Sequence, residues 1–243
     1  MGVATDHDLT PLLNQCGDED LQPLVDYILN ASTNDLTTSP GYEARPGAPS
    51  TYVSEIVYEI KTFGGNTFAN MFREDGVPYR EVVTDVAERL KVQVSEDDTV
   101  EEMESGILTK VLEDMLEKMS PEERQRLDEE FAEAGRAVGD KGATVPLSIL
   151  ILQGGVRLSG FMAYRLAAIV ANAVARAVLG RGLSVGANAA LMRVLGMAAG
   201  PIGWVLTGLW TAIDIAGPAF RVTLPCVCHV AFLRQKQAYK VAL

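Results

Sequence analysis

Few residues in this chain have the types and spacing that chemistry needs. Cys226-x-Cys228-His229 sets two thiols beside an imidazole, the ingredients of a metal or redox site. The spacing is not Cys-x-x-Cys and no second ligand pair accompanies it, so these side chains are expected as buried core residues. His7 is the only other histidine. Glu101, Glu102, Glu104, Glu113, Asp114 and Glu117 are numerous, but they interleave with Lys110 and Lys118 and read as a solvated helix face. A Glu-x-x-His motif is missing, which removes the helical-bundle di-metal pattern. Gly64-Gly65 has no Lys-Ser/Thr behind it, so it reads as a tight interhelical turn with a left-handed glycine rather than a phosphate loop. No catalytic residue, cofactor site or metal ligand is predicted, and the chain is expected not to be an enzyme.

The arginines of the C-terminal half are more informative. Pro146 opens a helical pattern that runs to about Leu179, loosened or broken at Gly154-Gly155. At about 100° per residue, Gln153, Arg157, Arg165, Asn172 and Arg176 fall within an arc of about 140°. The rest of the pattern is apolar. Such a helix suits an anionic membrane surface or an acidic partner helix. It also suits a core helix whose arginines reach the acidic half or solvent. With Arg181, Arg193, Trp204 and Trp210, the residues Arg157, Arg165 and Arg176 are the candidate membrane or partner surface.

The charge distribution sharpens this. The net charge is −11, but residues 1–141 hold 31 acids against 12 Lys and Arg, whereas residues 142–243 hold one acid against nine. The single acid, Asp214, is expected to pair with Arg221 or Arg193. The two halves either have different partners or cover each other within one fold. No nucleic-acid partner is expected. Val194–Ile213 is free of charge for 20 residues, enough to span a hydrocarbon core of roughly 30 Å. Gly196, Gly200, Gly208, Ala212 and Ala216 recur at multiples of four and permit close helix packing. Gly200-Pro201 splits this run, which favours a buried hairpin able to insert conditionally over a constitutive span.

The elements that must position these residues are helices. Three cysteines without a framework fit a reducing compartment, and MGVATDHDLTPLL lacks the features of a secretory leader. The fold class expected is an all-α multi-helix bundle with an acidic N-terminal half and an apolar, Gly/Ala-rich, cationic C-terminal half. Residues 1–30 form a small helical hairpin, and 31–50 are a linker by composition. Residues 51–141 are the acidic helical region, and 142–243 pack with it as one domain. Helices are predicted at Tyr52–Thr62 and Tyr79–Leu90, from near Val100, and from Pro121 behind a Ser120–Glu123 capping box. Lys91–Val94 reads as briefly extended, and Pro225 as bending a final helix over Ala219–Tyr239.

Three stretches carry a family likeness. They are Asp8-Leu9…Cys16…Glu19-Asp20-Leu21, FGGNTFANMFREDGVPYREVVTDVAERLKV at 63–92, and AGPAFRVTLPCVCHVAFLRQ at 216–235. The chain resembles the bacterial YaaW family, which is grouped distantly with the ubiquinol–cytochrome c chaperones. That resemblance implies a helical binding protein beside a membrane, located in the cytoplasm and peripheral to the inner membrane. The expected function is a non-enzymatic, chaperone-like or assembly factor that acts on a client protein or at an anionic membrane surface. The alternative is a conditionally inserting effector or pore former that uses the Gly/Ala-rich hairpin.

Overall fold

The computed structural model describes residues 5–31, 33–64, 76–137, 146–152, 160–183 and 219–241. Among them every regular element is helical. The α-helices are α1 (Thr10–Leu13), α2 (Asp18–Leu29), α3 (Pro40–Ala44), α4 (Val53–Phe63), α5 (Tyr79–Arg89), α6 (Val100–Lys118), α7 (Pro121–Ala137), α8 (Leu147–Leu152), α9 (Gly160–Leu179) and α10 (Phe220–Val241). Two 3-10 turns, Leu36–Thr38 and Pro49–Thr51, flank α3.

Helix α10 is the axis of the fold. Every residue from Val222 to Leu233 is buried, because α9 lies along it and α2, α4, α5 and α6 also pack against it. A helix enclosed on all sides has no polar face to spare, which is why Cys226, Cys228 and His229 sit in the interior. It runs as one helix past Pro225. The proline lies near the helix start, and the residue four before it, Arg221, is exposed.

The amphipathic helices bury the residues that their periodicity picks out. These are Leu21, Leu24, Val25 and Ile28 in α2, Val53, Ile56, Val57 and Ile60 in α4, and Val82, Val83, Val86 and Ala87 in α5. One apolar core runs from Leu9 to Leu233 and draws on both charge halves. The starts of α6 and α7 are fixed by capping boxes. In the first, Glu102 N donates to Thr99 Oγ1 at 3.2 Å while Thr99 N donates to Glu102 Oε2 at 3.0 Å. In the second, Ser120 N donates to Glu123 Oε2 at 2.8 Å and Glu123 N to Ser120 Oγ at 3.2 Å.

Several local expectations change. Residues 31–50 hold ordered turns rather than a free linker, because two carboxylates one helical turn apart on α4 bind their backbone. Glu59 accepts from Asp35 N at 2.8 Å, and Glu55 accepts from Gly41 N, Tyr42 N and the Ser39 hydroxyl. A side chain at Gly41 would meet Glu55 Oε2 at 2.7 Å, so glycine is what lets the carboxylate reach the amides. Lys91 is in a turn, not a strand. It adopts φ 60° behind α5 while Val92 N donates to Ala87 O, a left-handed helix end occupied by lysine. Gly64 is right-handed at φ −75°; its requirement is the close approach of Val82, whose Cγ2 a Cβ would meet at 2.2 Å. The pattern predicted from Pro146 to Leu179 divides into α8 and α9, with 153–159 outside the described residues.

Candidate functional site

The cations of the C-terminal half meet acids of the N-terminal half. Arg234, on the last third of α10, donates from Nε to Glu104 Oε2 at 2.7 Å and from an Nη to Glu104 Oε1 at 3.1 Å, a two-point contact with α6. Tyr79 of α5 donates its hydroxyl to the same carboxylate at 3.0 Å, and Arg234 also reaches Asp8 O at 3.3 Å. Two further pairs follow: Lys236 of α10 with Asp20, and Arg181, just past the end of α9, with Asp26, both acids on α2. Gln237 donates to Gln15 O at 3.1 Å. Helix α10 thus ties both ends of the chain to the acidic helices.

The electrostatics of this seam follow from burial. Glu104 is 1% exposed. Burial pushes its carboxyl above the usual range, and the Arg234 guanidinium and Tyr79 hydroxyl oppose that shift. Burial also drives the Tyr79 phenol far up, with the Glu104 charge acting in the same direction, so it remains a donor. His229 is driven down to about 4 by burial, so its imidazole is neutral. Its Nε2 lies 2.7 Å from Asp20 O, which makes Nε2–H the donor and leaves Nδ1 without a hydrogen-bond partner among the described residues. Burial raises the thiols of Cys226 and Cys228, the latter to about 12. At neutral pH neither is a thiolate, so neither is poised as a nucleophile or metal ligand. Among the described residues no group of three or more His, Cys, Asp or Glu could hold a metal ion.

The candidate surface arginines are placed differently. Arg165 is 1% exposed and lies inside the fold, not on a membrane-facing or partner-facing surface. Its guanidinium donates to Phe131 O of α7 and lies 4.4 Å from the Phe131 ring centroid. Every residue from Met162 to Ala175 of α9 is buried, so an arginine in that stretch has to go inward. Arg176 is half-buried near Gly182, Arg181 is exposed but engaged by Asp26, and Arg221 is exposed. Arg157, Arg193, Trp204, Trp210, Asp214, Gly196, Gly200, Gly208, Ala212 and Ala216 lie outside the described residues. Met162–Leu179 is long and apolar enough by composition to cross a membrane, but most of it is buried within the fold.

Glu104 is the main site residue that the sequence reading misplaced among solvated acids. A signal was available. Glu104 lies four residues after Val100, four before Leu108 and seven before Val111, on the buried stripe of α6. The same logic applies to Glu59 between Ile56 and Ile60 on α4.

Taken together, the described residues form a polar seam that closes a helical bundle, with no nucleophile–base pair or ligand cage among them. Comparison with known proteins gives it a lineage. Residues 55–228 match the family model described as ubiquinol-cytochrome C chaperone. A UPF0174 protein of Helicobacter pylori (strain J99 / ATCC 700824) is 37% identical over 97% of this chain and 94% of its own length. The UPF0174 protein YaaW of Escherichia coli (strain K12) is 34% identical over 74% of this chain and 70% of its own. The chain belongs to the UPF0174 (YaaW) family. No solved structure matches it. The YaaW-family match with the chaperone model begins at Glu55, the residue that binds the 39–42 backbone, and ends at Cys228. The α1–α2 hairpin and the last turns of α10 lie outside it, and they bind one another through Asp20, Lys236, Gln237 and His229.

Proposed function

We propose that this UPF0174 protein is a non-enzymatic, chaperone-like assembly factor that holds a client protein beside the cytoplasmic face of the inner membrane. The observation that carries the reading is the match of residues 55–228 to the ubiquinol-cytochrome C chaperone family. The described residues support a binding role over catalysis, since their buried thiols, imidazole and carboxylates are held in inactive forms or in pairs. Arg234 and Lys236 of α10 and Arg181, just past α9, are engaged by acids of the same chain, and the client or lipid contact is assigned to residues 184–216, with Trp204 and Trp210 as anchors and the Gly196/Gly200 spacing for close packing. This reading is tested with a photo-crosslinking residue at position 204 or 210 of the full chain in cells. The expected adduct is one unassembled subunit of a membrane complex; a ladder of unrelated proteins, or none, counts against it. Flotation with anionic and neutral vesicles tests the membrane contact. Binding to anionic vesicles that weakens with salt and disappears on deletion of 184–216 supports it, and no binding to either removes it. Dye release from the same vesicles would favour pore formation instead.

A further inference from the structure

We infer that α7 is a detachable arm, and that the surface it covers on α8 and α9 receives a client helix of α7's own chemistry. Only the identity of that occupant rests on the client-binding reading above. Among its described side chains, the 17-residue α7 buries just Leu127 and Phe131, whereas α6, two residues longer, buries nine. Its other attachments are polar. Asp128 accepts from Ser148 N at 2.9 Å and from the Ser148 hydroxyl, and Arg165 engages the Phe131 carbonyl and ring.

The arm is built to survive undocking. Helix α6 ends at Lys118, and Met119 turns extended at ψ 145°. Helix α7 then starts with its own capping box and carries an internal Gln125–Glu129 hydrogen bond of 2.8 Å, none of which needs the body. The docked arm sets the Phe131 carbonyl and ring against the Arg165 guanidinium, the largest fully buried side chain described. An open groove of about 580 Å³ lies along α7, lined by Pro121, Arg124, Asp128, Arg136 and Pro146, and gives a competitor access to the Asp128–Ser148 joint. Beside the Asp128–Ser148 and Phe131–Arg165 contacts, α8 and α9 carry the buried Leu147, Ile151 and Arg165. What fits there is what α7 supplies: an aliphatic and an aromatic residue four apart, with a carboxylate between them, as in Leu127-Asp128-x-x-Phe131.

Hydrogen exchange on the unmodified full chain tests the arm. The amides of α7 should exchange as one block, with protection about 100-fold or more below that of 222–233 in α10; equal protection overturns the arm. A labelled peptide of residues 119–137 tests the docking surface. The full-length F131A variant, whose own arm is weakened, should bind this peptide about 10-fold tighter than the unmodified chain, and a peptide carrying the same Phe131→Ala change should not bind. D128A serves as the second variant if F131A loses its helical circular dichroism. Equal affinity for variant and unmodified chain, or no binding, overturns the docking surface. Both readouts use this chain alone, so they fail independently of whether a client or lipid is found.

Discussion

Replacing Arg234 by methionine should cost more than replacing Glu104, and the difference should depend on pH. Removing one partner of a buried pair typically costs about 3–5 kcal/mol, because the other charge is left without compensation. The two orphans here are not equivalent. The Glu104 side chain is 2% exposed and cannot reach water, whereas the Arg234 side chain is 20% exposed and its stem lets the guanidinium move outward. R234M therefore leaves a carboxylate that must protonate to remain inside. Its folded pKa, already raised by burial, rises further once the guanidinium is gone. The folded state then holds a proton that the unfolded chain releases above about 4.5, so R234M should lose stability as pH rises from about 5 to 8. E104M removes that carboxyl and should be flatter with pH. The assay is urea unfolding followed by helical circular dichroism, with the double variant completing the cycle. A loss of about 3–5 kcal/mol corresponds to about 6–20 °C in melting temperature for a chain of this size. Equal losses in the two single variants, no pH trend in R234M, or additivity within about 0.5 kcal/mol would refute the reasoning.

Other consequences are local. Burial raises Glu59 from its ordinary 4.5 to about 7, so its contribution is full below about 4.5 and lost by about 7; E59Q should flatten the decline between pH 5 and 8, by up to roughly 3 kcal/mol in urea unfolding. Lys91 occupies a left-handed position, so K91G should raise stability by about 1 kcal/mol, and no gain in the urea midpoint would contradict the helix-end assignment. G64A should destabilise by about 1–3 kcal/mol, because its methyl would overlap Val82. Cys226 and Cys228 should resist a thiol reagent at pH 7.5 in the native protein and react on unfolding; rapid native labelling of either would refute their burial.

What was legible in the sequence was whatever depends on local spacing. The stripes of α2, α4, α5 and α6, and the Ser120–Glu123 box, follow from helical period and capping chemistry, which act within a few residues. What was not legible depends on long-range partners. Residues 31–50 look like a linker because their order comes from Glu55 and Glu59 on α4, not from apolar residues of their own. Lys91 hid a left-handed turn that glycine would have announced. Spacing left two readings of Arg165 open, a membrane or partner surface and a core helix whose arginines reach the acidic half, because only a distant partner separates them; here α7 of the acidic half supplies a carbonyl and a ring.

The same logic reinterprets the charge split. A half with nine cations and one acid invites an anionic surface, yet three of those cations, all among the described residues, end on Asp20, Asp26 and Glu104 of the other half. Arg234–Glu104 is the most buried of the three; it gains a tyrosine donor and fixes α10 against α5 and α6. Buried pairs of this kind contribute little net stability compared with apolar packing, but they penalise every alternative register that separates them. For a helix buried on all sides, whose apolar surface does not distinguish one rotation from another, such a penalty is what selects a single packing. The charge asymmetry is therefore first a device for specifying how the two halves close. Whatever attraction remains for a client or lipid has to come from what the seam leaves uncommitted.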